Sequence, residues 1–294
     1  MKIVHIIGGL GNQMFQYALL IALREHFKQP VLADITSFHR YGLHNGFELT
    51  EIFGIHPLLA TKKDLREVTW YAPSYKIQRI MRRLLPYKKS ECIESSKGDF
   101  VKDMFVYDGD RYYEGYWQNY LYFDKYYDII CKEYAFPENK LNVRNKELVA
   151  RIKKNPDEWV SIHIRRGDYI GHKRFGNLCD IDYYNSAINK IKKLRGHDSL
   201  NFLILSNDTD WCRSNLKDVL SEDICEFVDW NTGGDSFVDM YLMTQCSSNI
   251  IANSSFSWWG AYLNRNPEKV IIAPQKWTND IVSVKRQLPD WVLI

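Results

Sequence analysis

The sequence has 294 residues, 45% of them apolar and 26% charged, and this composition is typical of a soluble globular protein with one large core or two medium ones. The 39 Lys and Arg residues nearly balance the 36 Asp and Glu residues, which argues against a dedicated nucleic-acid binder and makes any anion site a local cluster. The six cysteines form no C-x-x-C pair, so we expect neither zinc ligation nor a disulfide scaffold, but a reduced chain in the cytoplasm.

The chain begins with a predicted β-turn-α-β unit. The strand "KIVHII" covers residues 2–7, the helix "QMFQYALLIALREHF" covers 13–27 and the strand "VLADI" covers 31–35. Because glycines interrupt the first apolar stretch, we expect no signal peptide. The sequence also lacks a run of about 18 apolar residues, so we expect no membrane span.

The glycine turn of this unit is incomplete as a dinucleotide-binding fingerprint. Met14 stands where a third Gly or Ala is required, although Asp34 lies where a ribose-binding acid belongs. A Walker A loop is excluded, since no Gly-Lys-Ser/Thr follows. The remaining interpretations are a turn needed only for a tight bend, or an anion site at a helix N-terminus. The donors of that anion site would be the backbone of Gly9 and Gly11 and the amides of Asn12 and Gln13.

Residues 40–135 are rich in Tyr and Phe and less periodic, which predicts insertions and loops on the α/β frame. Within them, "KIQRIMRRLLPYKK" (76–89) contains six basic and no acidic residues, with apolar residues at helical spacing. This pattern predicts a basic amphipathic helix ended by Pro86. The helix could lie on the anionic inner membrane face near a lipid-linked substrate, or it could be a packed helix with a solvated face.

A polar segment at 133–159 is the predicted boundary between an N-terminal domain, 1–155, and a C-terminal domain, 156–294. Beyond it, strands and helices alternate, which predicts a parallel sheet. The strands are at 159–164, 200–206, 224–229, 249–253 and 269–274, and the helices are at 180–194, 209–220, 235–247 and 255–266. We therefore expect two α/β domains facing a central cleft, with ligands at the carboxyl ends of the strands.

The motif "HIRRGDY" (163–169) follows the strand at 159–164 directly. Two adjacent guanidinium groups at a strand end are costly to bury unless they meet an anion, and an arginine binds phosphate bidentately. We expect one arginine on a pyrophosphate and the other paired with Asp168 or Asp208. The alternative is a structural Arg–Asp network. The candidate side chains are His163, Arg165, Arg166 and Asp168.

The motif "LSNDTDW" (205–211) allows two interpretations. Asp208 and Asp210 could hold a divalent cation. Alternatively, Asn207 or Asp208 accepts hydrogen bonds from a base or ribose while Thr209 and Asp210 cap the next helix. We prefer the second interpretation, because the arginines already supply positive charge.

The motif "NSSFSWWGAYL" (253–263) combines helix capping with a possible second anion cradle. Asn253, Ser254 or Ser255 can cap the following helix, whose N-terminus favours an anion. Phe256 and the two tryptophans can form a wall beside it. We expect one tryptophan to pack inward and the other to support the site.

Together these motifs resemble glycosyltransferase family 11, the α-1,2-fucosyltransferases in their bacterial form. The stretches "GGLGNQMFQYA", "HIRRGDY", "SNDTDWC" and "NIIANSSFSWWGAYL" match that family in wording and in order, over nearly the whole chain. Residues 40–155 match least, and acceptor recognition should differ there.

The resemblance implies a GT-B-like α/β fold of two Rossmann-like domains, a GDP-fucose donor, inversion at the fucose anomeric carbon, and no metal or other cofactor. It implies that Arg165 binds the donor β-phosphate and that Asn12 lies near the reacting centre. Asp168 is our first candidate for the base. The implied donor-binding residues are Gly9, Gly11, Gln13, His163, Arg166, Asn207, Asp208, Ser254, Ser255 and Phe256.

The resemblance also implies the 2-hydroxyl of a galactoside, or of a lipid-linked oligosaccharide in O-antigen or other surface-polysaccharide synthesis, as the acceptor. Two other functions are compatible with parts of the sequence. An NAD-type oxidoreductase would use the glycine turn and Asp34, and a glycan-binding module would use the aromatic residues.

Overall fold

The computed structural model describes residues 1–39, 45–72, 75–95, 98–280 and 286–294, except for the side chains of 39, 75, 78 and 79. The chain divides into two compact units, Met1–Ala135 and Phe136–Ile294. Each unit contains one sheet whose neighbouring strands all pair in parallel, which confirms the predicted α/β class with two parallel sheets.

In the first unit, the central strand β1 is buried along its whole length. The strands are β1 Lys2–His5, β2 Val31–Asp34, β3 Glu91–Ile93 and β4 Arg111–Glu114, in the sheet order β2-β1-β4-β3. The helices are α1 Leu10–Phe27, α2 Leu49–Phe53, α3 Lys62–Val68, α4 Tyr75–Leu84 and α5 Tyr127–Glu133. The region predicted as insertions and loops thus supplies two strands of this sheet.

The helix predicted within residues 76–89 is present and, as predicted, does not extend past Pro86. Helix α4 ends at Leu84, ahead of Pro86. Arg82 does not face solvent, because its guanidinium pairs with the buried carboxylate of Glu91. Lys88 lies beyond the helix, and its ammonium donates to the carbonyl oxygen of Arg66 at 2.6 Å. Two of the six basic residues in this stretch therefore stabilise the first unit.

In the second unit, the predicted alternation of strands and helices is confirmed. The strands are β5 Trp159–Ile164, β6 Asn201–Ser206, β7 Ile224–Val228, β8 Ser248–Ile250, β9 Ile271–Ala273 and β10 Val292–Leu293, in the order β10-β9-β8-β5-β6-β7. The helices are α6 Val143–Lys154, α7 Ile181–Arg195, α8 Thr209–Asn215, α9 Phe237–Gln245 and α10 Ser255–Tyr262.

The compact units divide ahead of the boundary expected at 155. The polar segment there contains α6, which belongs to the second unit. The side-chain amide of Asn145 in α6 donates to that of Asn231 at 2.8 Å and accepts from the Trp230 indole at 2.9 Å. These buried hydrogen bonds hold the helix on the second unit although its sequence is largely charged.

Strand order creates one switch point in each sheet. In the second unit the chain runs from β5 outward through β6 to β7 on one side, then crosses to β8, β9 and β10 on the other. In the first unit it runs from β1 to β2 on one side, and β4 pairs with β1 on the other. Because connections diverge there, the crevices at the carboxyl ends of β5 and β8, and of β1 and β4, are where open α/β sheets bind ligands.

All six cysteines are free, and four of them are buried, as expected for a reduced chain. Within the described ranges, no helix combines the length and the apolar character needed to cross a bilayer.

Candidate functional site

Arg165 and Asp168 form a bidentate ion pair directly after β5. Arg165 Nε lies 2.8 Å from Asp168 Oδ1, and Nη2 donates to Oδ2 at 3.0 Å. The guanidinium also lies 5.7 Å from the centroid of the Tyr169 ring. The Tyr169 hydroxyl donates at 3.3 Å to the carbonyl of Asn253, in the segment between β8 and α10. The pair fixes the direction of the fork, whose remaining N–H groups are available to an anion.

Arg166 is directed to the neighbouring strand β6. Its Nε lies 3.1 Å from Asp208 Oδ2, and its guanidinium lies 4.0 Å from the centroid of the Trp211 ring. The backbone N–H of Arg166 donates to Asn207 Oδ1 at 3.0 Å. The pairing expected for one arginine is therefore present with Asp208, while the other arginine pairs with Asp168.

Asp208 also begins helix α8. Its Oδ1 accepts from the Trp211 N–H at 3.3 Å, so Asp208 is the cap, and Thr209 and Asp210 are the first helical residues. The expectation that Thr209 and Asp210 cap this helix is wrong. In the described ranges, no three His, Cys, Asp or Glu side chains are grouped in a way that could hold a metal ion.

His163 is a buried histidine with an orphaned ring nitrogen. Among the described residues, its Nδ1 has no hydrogen-bond partner. Burial, helped by the charge of Arg165, lowers the pKa of His163 to about 3, so the ring is neutral at working pH. The ring stacks on Phe256 with centroids 5.4 Å apart, which joins the end of β5 to helix α10. A buried polar atom without a partner is costly unless a ligand or water satisfies it.

Helix α10 begins at this same edge of the sheet. Its N-cap is Ser254, whose side chain makes no capping hydrogen bond, so the hydroxyl is not consumed by the helix. Ser255 and Phe256 form the first turn and are partly exposed. Trp258 and Trp259 are both fully buried, with ring centroids 5.0 Å apart. Both tryptophans therefore pack inward, because this helix is buried on nearly every face from Ser257 onward. That one of them also supports the site stays a prediction.

The second unit thus presents a donor set suited to a nucleoside diphosphate. An oriented guanidinium fork and a helix N-terminus both favour phosphate oxygens, and a neutral histidine beside a phenylalanine offers a hydrogen bond and a flat face. The structure brings the candidate residues His163, Arg165, Arg166, Asp168, Asn207 and Asp208 together at the ends of β5 and β6. Ser254, Ser255 and Phe256 join them through the His163–Phe256 stack.

In the first unit, the glycine turn leads from β1 into α1, with Gly9 as the N-cap. Gly8 has φ +81°, and a Cβ there would lie 2.9 Å from Asn12 Nδ2, so glycine is required. Asn12 is held by Gln118, whose Nε2 donates to Asn12 Oδ1 at 2.7 Å. This fixes the amide so that its Nδ2 lies over the turn.

Gln13 is fully buried, and its amide is engaged on both sides. Its Nε2 donates to the carbonyls of Gly8 and Gly46, both at 2.8 Å, and its Oε1 accepts from the Glu48 N–H at 2.9 Å. The side chain therefore ties the turn to the segment around residue 47. We assign it a positioning role in place of direct contact with the donor.

Asp34 is also occupied. Its Oδ2 accepts from the Tyr112 hydroxyl at 2.8 Å and its Oδ1 from the Thr36 N–H at 2.9 Å, and the residue is buried. A ribose-binding acid must offer a free carboxylate oxygen at the sheet edge. Because both oxygens of Asp34 already accept hydrogen bonds within the protein, Asp34 does not serve as the ribose-binding acid that the oxidoreductase interpretation requires.

A polar cluster that sequence reasoning missed lies at the ends of β1 and β4. His5 Nδ1 lies 3.0 Å from both carboxylate oxygens of Glu114, and His5 Nε2 lies 2.8 Å from Ser37 Oγ. Burial acts to lower the pKa of His5, but the carboxylate of Glu114, with a further contribution from Asp34, raises the pKa above its usual value. The only local sequence signal for this cluster is His5, a titratable residue at the end of the buried strand "KIVH".

Comparisons with known proteins agree with the geometry. The sequence model of the family described as "Glycosyl transferase family 11" matches residues 1–294. The O-antigen biosynthesis glycosyltransferase WbnK of Escherichia coli is 29% identical, over 97% of this chain and 97% of that protein. An alpha-1,2-colitosyltransferase of Escherichia coli is 33% identical, over 94% of this chain and 91% of that protein.

A galactoside alpha-(1,2)-fucosyltransferase 2 of Mus musculus is 25% identical, over 88% of this chain and 67% of that protein. Among solved structures, a mutant of Arabidopsis thaliana FUT1 in complex with GDP is similar in fold, with a TM-score of 0.51 and 15% identity, over 94% of this chain and 71% of that one.

Proposed function

The chain belongs to glycosyltransferase family 11, and on this premise we propose that it is a galactoside α-1,2-fucosyltransferase. It transfers fucose from GDP-β-L-fucose to the 2-hydroxyl of a galactose-type acceptor, with inversion at the fucose anomeric carbon. The observation that carries the proposal is the oriented fork of Arg165 at the switch point of the second sheet, beside the N-terminus of α10.

Bond cleavage between fucose and GDP leaves developing negative charge on the β-phosphate. The fork of Arg165, held by Asp168, is oriented before the donor arrives and meets that charge without reorganisation. Because Asp168 engages Arg165 with both carboxylate oxygens, we propose that it holds the fork and that another group serves as the base. The positive charge of Arg165 beside the leaving phosphate stabilises its developing negative charge and favours departure of GDP as the acceptor oxygen approaches the anomeric carbon.

The other proposed contacts with the sugar nucleotide come from residues at the ends of the strands of the second sheet. His163 satisfies its orphaned Nδ1 on the nucleotide, and Phe256 packs against the flat face of the base or ribose. Ser254 and Ser255 offer their hydroxyls to a phosphate, and Ser255 also offers its backbone N–H, since that of Ser254 donates to the carbonyl of Ala252. Asn207 and Asp208, through Arg166, shape the loop that carries Arg165.

In the first unit, we assign the acceptor to the glycine-turn edge of the sheet. Asn12, fixed by Gln118, provides an amide donor at the turn, and Gly9 and Gly11 let a sugar approach the backbone closely. The acceptor belongs to a surface polysaccharide such as an O antigen, and the enzyme acts in the cytoplasm. The 97% overlap with the O-antigen glycosyltransferase supports this assignment.

We also propose that transfer needs no metal ion, since guanidinium groups and a helix N-terminus supply positive charge to the phosphates. The test incubates the protein with GDP-fucose and a panel of galactosides, with EDTA and with added Mg²⁺ or Mn²⁺. Fucosylated product in EDTA supports the proposal. Absence of product under all conditions, together with no GDP binding by calorimetry, overturns it.

Peripheral membrane contact through α4 is a further part of the proposal. Ile77, Ile80 and Leu84 lie on one stripe of the helix and are 52%, 56% and 76% exposed, with the exposed Lys76 and Arg83 beside them. An apolar stripe flanked by basic residues fits an anionic lipid surface.

Co-sedimentation with phosphatidylglycerol vesicles tests this contact. Ile80→Asn should weaken binding, while Val143→Asn, which alters an even more exposed aliphatic residue in α6, should not. Equal sedimentation of both variants and the parent protein would remove the membrane contact from the proposal.

A further inference from the structure

The first unit carries a serine, a histidine and a glutamate in hydrogen-bonded sequence at the switch point of its sheet. His5 ends β1 and Glu114 ends β4, so the two residues stand on either side of the crevice where the connections diverge. Ser37 lies in the short 3-10 helix Thr36–His39 that follows β2. The three side chains come from three separate elements that meet at one sheet edge.

The chemistry of the histidine fixes the direction of proton transfer. A carboxylate only accepts, so the 3.0 Å contact with Glu114 places the proton of neutral His5 on Nδ1. Nε2 is then the acceptor for the Ser37 hydroxyl, 2.8 Å away. Ser37 is partly exposed while His5 is buried, so the hydroxyl is the end of the chain that a substrate can reach.

We propose that Ser37, His5 and Glu114 form a proton relay that deprotonates the acceptor hydroxyl, an inference that rests on the proposed function. The acceptor oxygen bonds to the fucose anomeric carbon while the bond to GDP breaks and its electron pair leaves on the β-phosphate. The acceptor proton passes to Ser37 Oγ as the Ser37 proton passes to His5 Nε2. The resulting imidazolium is stabilised by Glu114 and later returns its proton to solvent.

The pKa of His5 depends on charged groups from the elements packed against it. Glu114 of β4 and Asp34 of β2 act to raise the pKa of His5, whereas Arg82 of α4 and burial act to lower it. Arg82 Nη2 lies 3.7 Å from Glu114 Oε2 and keeps that carboxylate ionised. The base works only when neutral, so kcat falls as pH decreases through the pKa of His5.

The experiment measures kcat against pH for transfer from GDP-fucose, in the wild type and in Glu114→Gln, Ser37→Ala and Ser37→Thr. Glu114→Gln should lower kcat by about 10²-fold and shift the acidic limb to lower pH, because the charge that raises the pKa of His5 is gone. Ser37→Ala should lower kcat by at least about tenfold without changing KM for GDP-fucose, and Ser37→Thr should restore it.

A control separates the relay from a structural role. Tyr134→Phe removes a buried hydroxyl that donates to the carbonyl of Met14, elsewhere in the first unit, and should lower the melting temperature while leaving the acidic limb in place. An unshifted limb in Glu114→Gln, or wild-type kcat in Ser37→Ala, overturns the relay. A wild-type protein that transfers no fucose to any acceptor contradicts the proposed function itself, which is a different outcome.

Discussion

Replacement of Arg165 by alanine tests the assignment of the donor phosphate site. The side chain is 35% exposed and its partner Asp168 is 59% exposed, so the ion pair contributes less than about 1 kcal/mol to the free energy of unfolding. The variant should therefore fold, with a melting temperature within about 4 °C of the wild type. The loss should appear in catalysis.

The expected catalytic loss follows from the number of bonds removed. Two guanidinium positions are held by Asp168. In the proposed function, the remaining N–H groups are those that bind the phosphate. Removal of one preorganised donor of this kind lowers kcat by about 10²–10³-fold, or about 2.7–4 kcal/mol of transition-state stabilisation. Arg165→Lys keeps the charge but loses the fork, so its kcat should lie between those of Arg165→Ala and the wild type.

The assay is steady-state transfer from GDP-fucose, with GDP affinity measured by calorimetry. Arg213→Ala is the matched control, because Arg213 also pairs with an aspartate, Asp229, at 3.2 Å and lies 4.3 Å from an aromatic ring. Its kcat should stay within about twofold of the wild type. A higher KM with unchanged kcat in Arg165→Ala would mean that the arginine binds ground and transition states equally, and it would refute the assigned role.

Three further predictions concern other parts of the structure. In Gly167→Ala, the new Cβ would lie 2.3 Å from Asn207 Nδ2, so the side chain must move, and GDP affinity by calorimetry should fall; an unchanged affinity would contradict the loop's role. Gln118→Ala frees the Asn12 amide and should lower kcat by about tenfold, with little change in GDP affinity measured by the same method. Burial raises the pKa of Asp239 to about 7, so its protonated form stabilises the folded chain below pH 4 and that contribution, at most about 4 kcal/mol, is lost as pH rises to 7. Asp239→Asn should flatten this part of the curve in denaturant titrations at several pH values.

The second sheet and its arginine motif were accessible to sequence reasoning for a physical reason. Strand β5 is apolar and buried throughout, and the charged residues begin directly after it, so the strand end and the ligand edge coincide in the sequence itself. The carboxyl ends of parallel strands meet at one edge, which brings Asn207 and Arg166 together although they lie 41 positions apart.

Other features depend on partners that no local pattern specifies. Strands β3 and β4 are three and four residues long and carry glutamate or arginine at their ends, so period-two alternation is absent. His5 and Glu114 are 109 positions apart, and the role of the Gln13 amide is decided by the carbonyl of Gly46, 33 positions away. In these cases tertiary contacts select one of several roles that the residue type allows.

The central position of β1 has a consequence for the order in which the chain assembles during synthesis. This strand is translated long before β4, its partner on one side, whose paired residues are 111–113. In the folded chain the ammonium of Lys2 donates to the carbonyls of Tyr107 and Gly109, at 3.0 and 3.2 Å, and these residues are also translated much later. Non-local parallel pairing forms slowly, and an unpaired apolar strand edge is a template for aggregation. The nascent chain must therefore keep this edge protected until more than a hundred residues have been translated, and the glycine turn acquires its final shape only then.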